Sequence, residues 1–97
     1  MKLAHEFELT VVTAGTPVPI TAYRKAAAVV VANNYPADDT RIVMVGLLAS
    51  VDALSTPPVG SMIGTGVNGQ YEVNYDSSQL AIDASVSGTK VTVQVYE

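Results

Sequence analysis

Leu3-Ala4-His5-Glu6-Phe7-Glu8-Leu9-Thr10-Val11 alternates without a slip. Leu3, His5, Phe7, Leu9 and Val11 fall on one face of an extended chain, while Ala4, Glu6, Glu8 and Thr10 fall on the other. Successive side chains of a strand point to opposite faces, so a period of two over this length predicts a strand with one buried face. Thr89-Lys90-Val91-Thr92-Val93-Gln94-Val95-Tyr96 repeats the pattern near the other end. There Val91, Val93 and Val95 share one face, and Lys90, Thr92, Gln94 and Tyr96 share the other. Two amphipathic strands therefore frame the chain.

The residues between them read as shorter pieces of the same kind. Ala14-Gly15-Thr16-Pro17 breaks the first strand, because Gly and Pro punctuate and Pro cannot donate to a ladder. Val18 to Tyr23 resumes as an extended segment, with Pro19 placing it at an edge or a strand start. Within Arg24 to Asn33, three consecutive alanines favour helix, but Val29-Val30-Val31 is stiff at χ1 and suits a pleated sheet. The segment has no polar face, so it cannot be an amphipathic surface helix, and a buried strand is predicted. Asn33 to Thr40 has loop composition, and Arg41 to Leu48 reads as a strand with Gly46 marking a bulge. Ala49 to Pro58 is a long connection in which Ser50 to Leu54 fits one helical turn capped by Ser50.

Strand-like pieces then follow at Ser61 to Ile63, Gln70 to Tyr75, Leu80 to Val86 and Thr89 to Tyr96. Turn signals at Gly64 to Gly69, Asp76-Ser77-Ser78 and Ser87-Gly88 separate them. About seven or eight short strands at this spacing predict an all-β fold, a single antiparallel β-sandwich or jelly-roll-like barrel. It spans residues 1–97, with 1–13 forming an N-terminal arm or an edge strand. Long helices alternating with strands, the mark of a parallel α/β fold, are absent.

Composition narrows the function classes. The 97 residues fit one domain with a modest core, and chains of this size often gain stability by oligomerising. No Cys is present, so there is no disulfide framework, thiolate metal site or thiol nucleophile. The formal charge is −4, and of the basic residues Lys2, Arg24, Lys25, Arg41 and Lys90 only Arg24 and Lys25 are adjacent. A nucleic-acid binder needs a basic stripe along the phosphates, and none is expected here. The longest apolar run, Ala26 to Ala32, is far below the roughly 20 residues that span a bilayer, and residues 1–6 carry no export signal. A soluble protein made in the cytoplasm, without a membrane partner, is expected.

The motifs that carry chemistry are few. Gly64-Thr65-Gly66-Val67-Asn68-Gly69 satisfies GxGxxG, but a dinucleotide fingerprint must open a helix, and Gln70 to Tyr75 alternates like a strand. A glycine-rich β-turn is expected instead. His5 is the only histidine, so no zinc set can be completed, and Asp38-Asp39 lacks the spaced oxygen ligands of a calcium loop. No serine sits in a nucleophile elbow, and the spacing of Glu6, Glu8, Glu72, Asp76 and Asp83 selects no acid–base pair. No catalytic residue, cofactor or metal is therefore expected. Five tyrosines are present, and buried interfaces favour Tyr because it joins a large apolar area to one hydroxyl. The candidate interface residues are Phe7, Leu9, Tyr23, Tyr35, Tyr71 and Tyr75, with Tyr35 singled out by its loop position beside Pro36.

Three segments carry a resemblance. They are Gly15-Thr16-Pro17-Val18-Pro19-Ile20-Thr21 followed by Arg24-Lys25, Arg41-Ile42-Val43-Met44-Val45-Gly46, and Leu80-Ala81-Ile82-Asp83-Ala84 followed by Gly88 to Glu97. In this order they are similar to small β-sandwich proteins of tailed bacteriophages that decorate or cement the capsid. The resemblance implies a non-enzymatic virion protein on the capsid exterior, a homo-oligomer (a trimer) whose partner is the major capsid protein. It carries over no catalytic residues. The alternatives are a small carbohydrate- or cell-surface-binding β-sandwich module, or a tail or baseplate fitting.

Overall fold

The structure, a computed structural model, describes residues 2–20, 27–72 and 79–97, and the backbone alone at Asn68 and at residues 70–72. Eight strands follow one another: β1 (Leu3–Val11), β2 (Val18–Pro19), β3 (Ala28–Asn33), β4 (Val43–Leu47), β5 (Ser61–Ile63), β6 (Val67–Glu72), β7 (Leu80–Ala84) and β8 (Thr89–Tyr96). They form two four-stranded sheets of order β1-β8-β3-β6 and β2-β7-β4-β5, antiparallel throughout. The domain is all-β, two packed antiparallel sheets in a sandwich.

The pairing order has a simple logic. β4 pairs with β5, β3 with β6, β2 with β7 and β1 with β8, as in one long hairpin bent at the β4–β5 connection. The further pairs β3–β8 and β4–β7 wind that ribbon into two sheets. Both amphipathic strands read from the sequence thus lie side by side, with Phe7 opposite Val93 and Leu9 opposite Val91.

The core lies between the sheets. Val11, Val29, Val31, Val91, Val93 and Val95 meet Ile20, Val43, Val45, Ile63, Leu80 and Ile82. β-branched side chains fit such a pleated interior, and each such burial stabilises by roughly 1.5–3 kcal/mol. Phe7 and Leu9 pack against this core from the β1 edge and remain only half-buried. A second cluster sits on the opposite face of the β2-β7-β4-β5 sheet, where Val51 and Ala53 cover Met44 and Ala81.

That second cluster corrects two sequence expectations. Ser50 to Leu54 forms no helical turn; the chain bends, Val51 and Ala53 bury two residues apart, and Asp52 bridges Val59. Packing of alternate residues onto a sheet has won over local helix propensity. Gly46 is no bulge either, since β4 keeps a regular register with β7 through Gly46–Ala81. Its hydrogen side chain makes room for the excursion: a Cβ there would lie 3.3 Å from Val51 Cβ and 3.4 Å from Gly60 Cα.

Element boundaries also shift: β4 spans Val43–Leu47 within the expected 41–48, and β7 ends at Ala84 rather than at Val86. Val67 to Gly69 belongs to β6 rather than to the preceding turn, because β3 extends to Asn33 and offers pairing that far. Asn33 ends β3, the C-terminal bound expected for the buried strand, and is itself fully buried. No described helix is long and apolar enough to cross a membrane.

Candidate binding face on the β1-β8-β3-β6 sheet

The face of this sheet turned away from the core is built from the second half of each alternation. β8 supplies Lys90, Thr92, Gln94 and Tyr96, and β1 supplies Glu6 and Glu8 opposite Gln94 and Thr92. β3 supplies Val30 opposite Gln94 and Ala32 opposite Thr92. Val30 and Ala32 are short beside their neighbours, so the face dips where they sit. One hollow of about 210 Å³ is lined by Val30, Ala32, Asn34, Thr92 and Gln94. A second, of about 190 Å³, is lined by Glu8, Asn34, Tyr35, Lys90, Val91 and Thr92. Both share Asn34 and Thr92, whose side chains bond at 3.2 Å, so the two hollows adjoin across that contact.

Hydrogen bonds fix the rim. Tyr96 Oη donates to Gln94 Oε1 at 3.2 Å, and Gln94 Nε2 donates to Glu6 Oε2 at 2.8 Å, which orients the Gln94 amide across the sheet. Lys90 Nζ stands 3.9 Å from Glu8 Oε1 with both side chains largely exposed, a contact of the kind that contributes little to stability. The arrangement presents two amides, hydroxyls, two carboxylates and one ammonium over a small apolar floor.

One end of the face is pinned by the loop after β3. Asn33 Oδ1 accepts the Tyr35 N–H at 3.2 Å, and Asp39 Oδ1 accepts the Arg41 N–H at 2.9 Å, each a side chain closing a turn on the backbone two residues on. Arg41 Nε also donates to both Asp39 carboxylate oxygens, at 2.9 and 3.0 Å. That hydrogen bond lowers the Asp39 carboxyl below its ordinary value of 3.8 and holds Arg41 further toward its charged form. The Arg41 guanidinium lies 3.6 Å from the centre of the Tyr35 ring, and Tyr35 Oη accepts the Lys90 N–H at 2.9 Å. Arg41 also reaches Thr89 Oγ1 at 3.3 Å.

Of the candidate interface residues, Tyr35 lines the second hollow and is half-buried by these contacts. Phe7 and Leu9 pack against the core at the β1 edge. Tyr71 lies in β6 opposite Val29, and Tyr23 and Tyr75 lie outside the described residues. Asn34, Thr92 and Gln94 escaped the sequence reading as site residues. The polar half of the 89–96 alternation was the available signal for Thr92 and Gln94, and Asn34 had none beyond loop composition.

Only the first half of the glycine motif, Gly64 to Gly66, is a turn, and its second half begins β6. Gly66 has φ +76, Val67 N–H bonds Gly64 O at 3.1 Å, and the chain continues as strand β6 rather than as a helix. Asp38 and Asp39 belong to the Tyr35–Arg41 loop, and no cluster of three or more His, Cys, Asp or Glu suited to a metal occurs among the described residues. Asp83 is a structural group: fully buried, it accepts N–H bonds from Gly15 at 3.0 Å and Ala53 at 2.7 Å. Comparison with protein-family models, curated proteins and solved structures finds no match.

Proposed function

We propose that this chain is a non-enzymatic structural protein of a virion that decorates or cements a bacteriophage capsid from outside, and that its sandwich is a jelly roll. The carrying observation is the order of pairing, first strand with eighth, second with seventh, third with sixth and fourth with fifth. A two-stranded ribbon rolled into two sheets is the jelly-roll arrangement, which serves viral capsid domains and also lectins and cupins. Fold alone leaves function open. The resemblance to phage decoration proteins supports this reading: of its segments, Gly15 to Ile20 covers the β1–β2 turn and β2, Arg41 to Gly46 leads into β4, and the last covers β7 and β8, while Thr21, Arg24 and Lys25 lie outside the described residues.

In this role the partners are the major capsid protein and further copies of the chain, as a trimer. Leu47, Leu54, Val59 and Met62 are exposed apolar residues in and around the 48–60 excursion and β5, and Met62 leaves 58 % of its surface open. Shell contacts would cover such area, and many weak contacts on a symmetric lattice add by avidity. The test mixes the protein with mature capsids purified without it, then measures sedimentation and the temperature of DNA release. Co-sedimentation and a higher release temperature support the proposal; failure of both removes it.

The adjoining hollows over Val30 and Ala32 favour one second role, a small carbohydrate- or cell-surface-binding module. Titration with soluble glycans decides it: saccharide binding lost in Asn34→Ala and Gln94→Ala would replace the shell assignment.

A further inference from the structure

We propose that the outer edge of β1 takes an added strand from a partner protein, an extended segment whose residues alternate basic and apolar. β1 runs nine residues, and β8 occupies one of its edges. No described strand lies along the other. A sheet edge presents backbone groups ready to pair, and strand addition draws its affinity from those main-chain bonds and its specificity from alternate side chains.

The side chains along β1 state what the added strand must carry. On the core side, Phe7 and Leu9 pack against the interior yet stay half-buried, so apolar partners beside them would complete their burial. On the other side Glu6 and Glu8 are exposed, and the Glu8 side chain is 62 % open. Directly opposed opposite charges stabilise a strand pair and like charges destabilise it. The fitting segment therefore reads basic, apolar, basic, apolar opposite Glu6, Phe7, Glu8 and Leu9.

The same glutamates disfavour pairing two β1 edges of this chain in the registers that overlap residues 6 to 8 most fully. Antiparallel pairing of two β1 edges centred on Phe7 sets Glu6 against Glu8 in both directions, and centring on Glu6 or Glu8 sets identical glutamates face to face. The inference goes beyond the capsid assignment and holds for any protein partner that offers such a segment.

The experiment titrates the whole protein with three blocked seven-residue peptides while its amide spectrum is followed. One alternates lysine and valine, one alternates glutamate and valine, and the third is the lysine peptide with two internal valines replaced by proline. Proline keeps the charge but cannot pair. The alternating lysine peptide is expected to bind with Kd on the order of 100 µM, to shift amides from Glu6 to Leu9, and to protect those alternate ones that face the open edge. At least tenfold weaker binding is expected for the other two. The E6K/E8K double variant, with its fold checked in the same spectrum, is expected to prefer the glutamate peptide. Equal binding of the proline peptide, shifts lying away from β1, or no binding at 1 mM would each overturn the proposal.

Discussion

The Asp83 carboxylate lies beneath the 48–60 excursion and accepts the backbone N–H of Ala53 at 2.7 Å. Its other oxygen accepts Gly15 N–H at 3.0 Å and Ala84 N–H at 2.9 Å, so one buried side chain fastens two connections to β7. A carboxylate can stay buried when several N–H donors replace its water. Asp83→Ala strips those donors of their acceptor and is expected to cost about 2–4 kcal/mol. Asp83→Asn keeps one accepting oxygen but turns an NH2 toward a donor, and is expected to lose about half as much. Urea unfolding with an unchanged slope gives both values. A loss below about 1 kcal/mol in the alanine variant would mean that Val51 and Ala53 hold the excursion by packing alone.

Gly60 and Gly66 both have positive φ, at +125 and +76, but only Gly60 is crowded. A Cβ at Gly60 would lie 2.9 Å from Val45 O and 3.1 Å from Val51 Cγ2, whereas one at Gly66 meets nothing within 4 Å. Gly66→Ala is expected to cost about 1 kcal/mol from the left-handed backbone alone. Gly60→Ala is expected to cost about 2–3 kcal/mol, because strain and collision add. Equal shifts in the unfolding midpoint would show that the return of the excursion toward β5 adapts to the added methyl.

The contrast between these two glycines bears on what a sequence discloses. Period-two alternation placed β1 and β8 within a residue or two, because burial of one face leaves a mark at every second position. The Val29-Val30-Val31 run marked β3 for the same reason, through side chains that suit a pleat. Residues 48–60 carried no such mark: Val51 and Ala53 bury on a sheet whose outer face they meet only after the chain has folded back. Asp83 and Asn33 were opaque for a related reason, since their partners Ala53, Gly15 and Ile63 lie at least 30 residues away. Nothing local distinguishes a buried polar anchor from a turn residue. The binding face was half legible: its polar residues follow from the alternation, but the dip over Val30 and Ala32 depends on which strands lie side by side.

Asp39 gives a pH signature. Hydrogen bonding to Arg41 lowers its carboxyl below 3.8 in the folded protein. The unfolded chain then binds this proton at higher pH than the folded one, so the contribution is complete above the unfolded value. It falls away as pH drops through the lowered folded value. Carboxyl titration followed by carbon NMR is expected to place Asp39 under 3.8 in the native chain and to bring it back toward 3.8 in Arg41→Met. An unchanged Asp39 titration in that variant would remove Arg41 as the cause.

Asn33 offers the sharpest test of how the sheets are joined at their β5–β6 end. Fully buried at the end of β3, it donates through Nδ2 to Ile63 O of β5 at 3.1 Å and accepts the Tyr35 N–H through Oδ1 at 3.2 Å. Asn33→Asp keeps the shape and the Tyr35 bond but sets a carboxylate oxygen against the Ile63 carbonyl. Ionised, it is expected to cost about 3 kcal/mol, the loss of one bond plus an uncompensated buried charge. Protonated, its O–H can donate to Ile63 O, and the native pattern returns. Burial and the facing carbonyl raise the folded pKa of the new acid above the unfolded value of about 3.9. The folded variant therefore binds more protons than the unfolded chain above that value, and its stability falls as pH rises through the folded pKa. Urea titrations of both proteins at several pH values check this: the deficit of the variant is expected to be largest near pH 8 and to shrink steadily in acid. A deficit that ignores pH would mean that the Asn33 amide does not carry the link to Ile63.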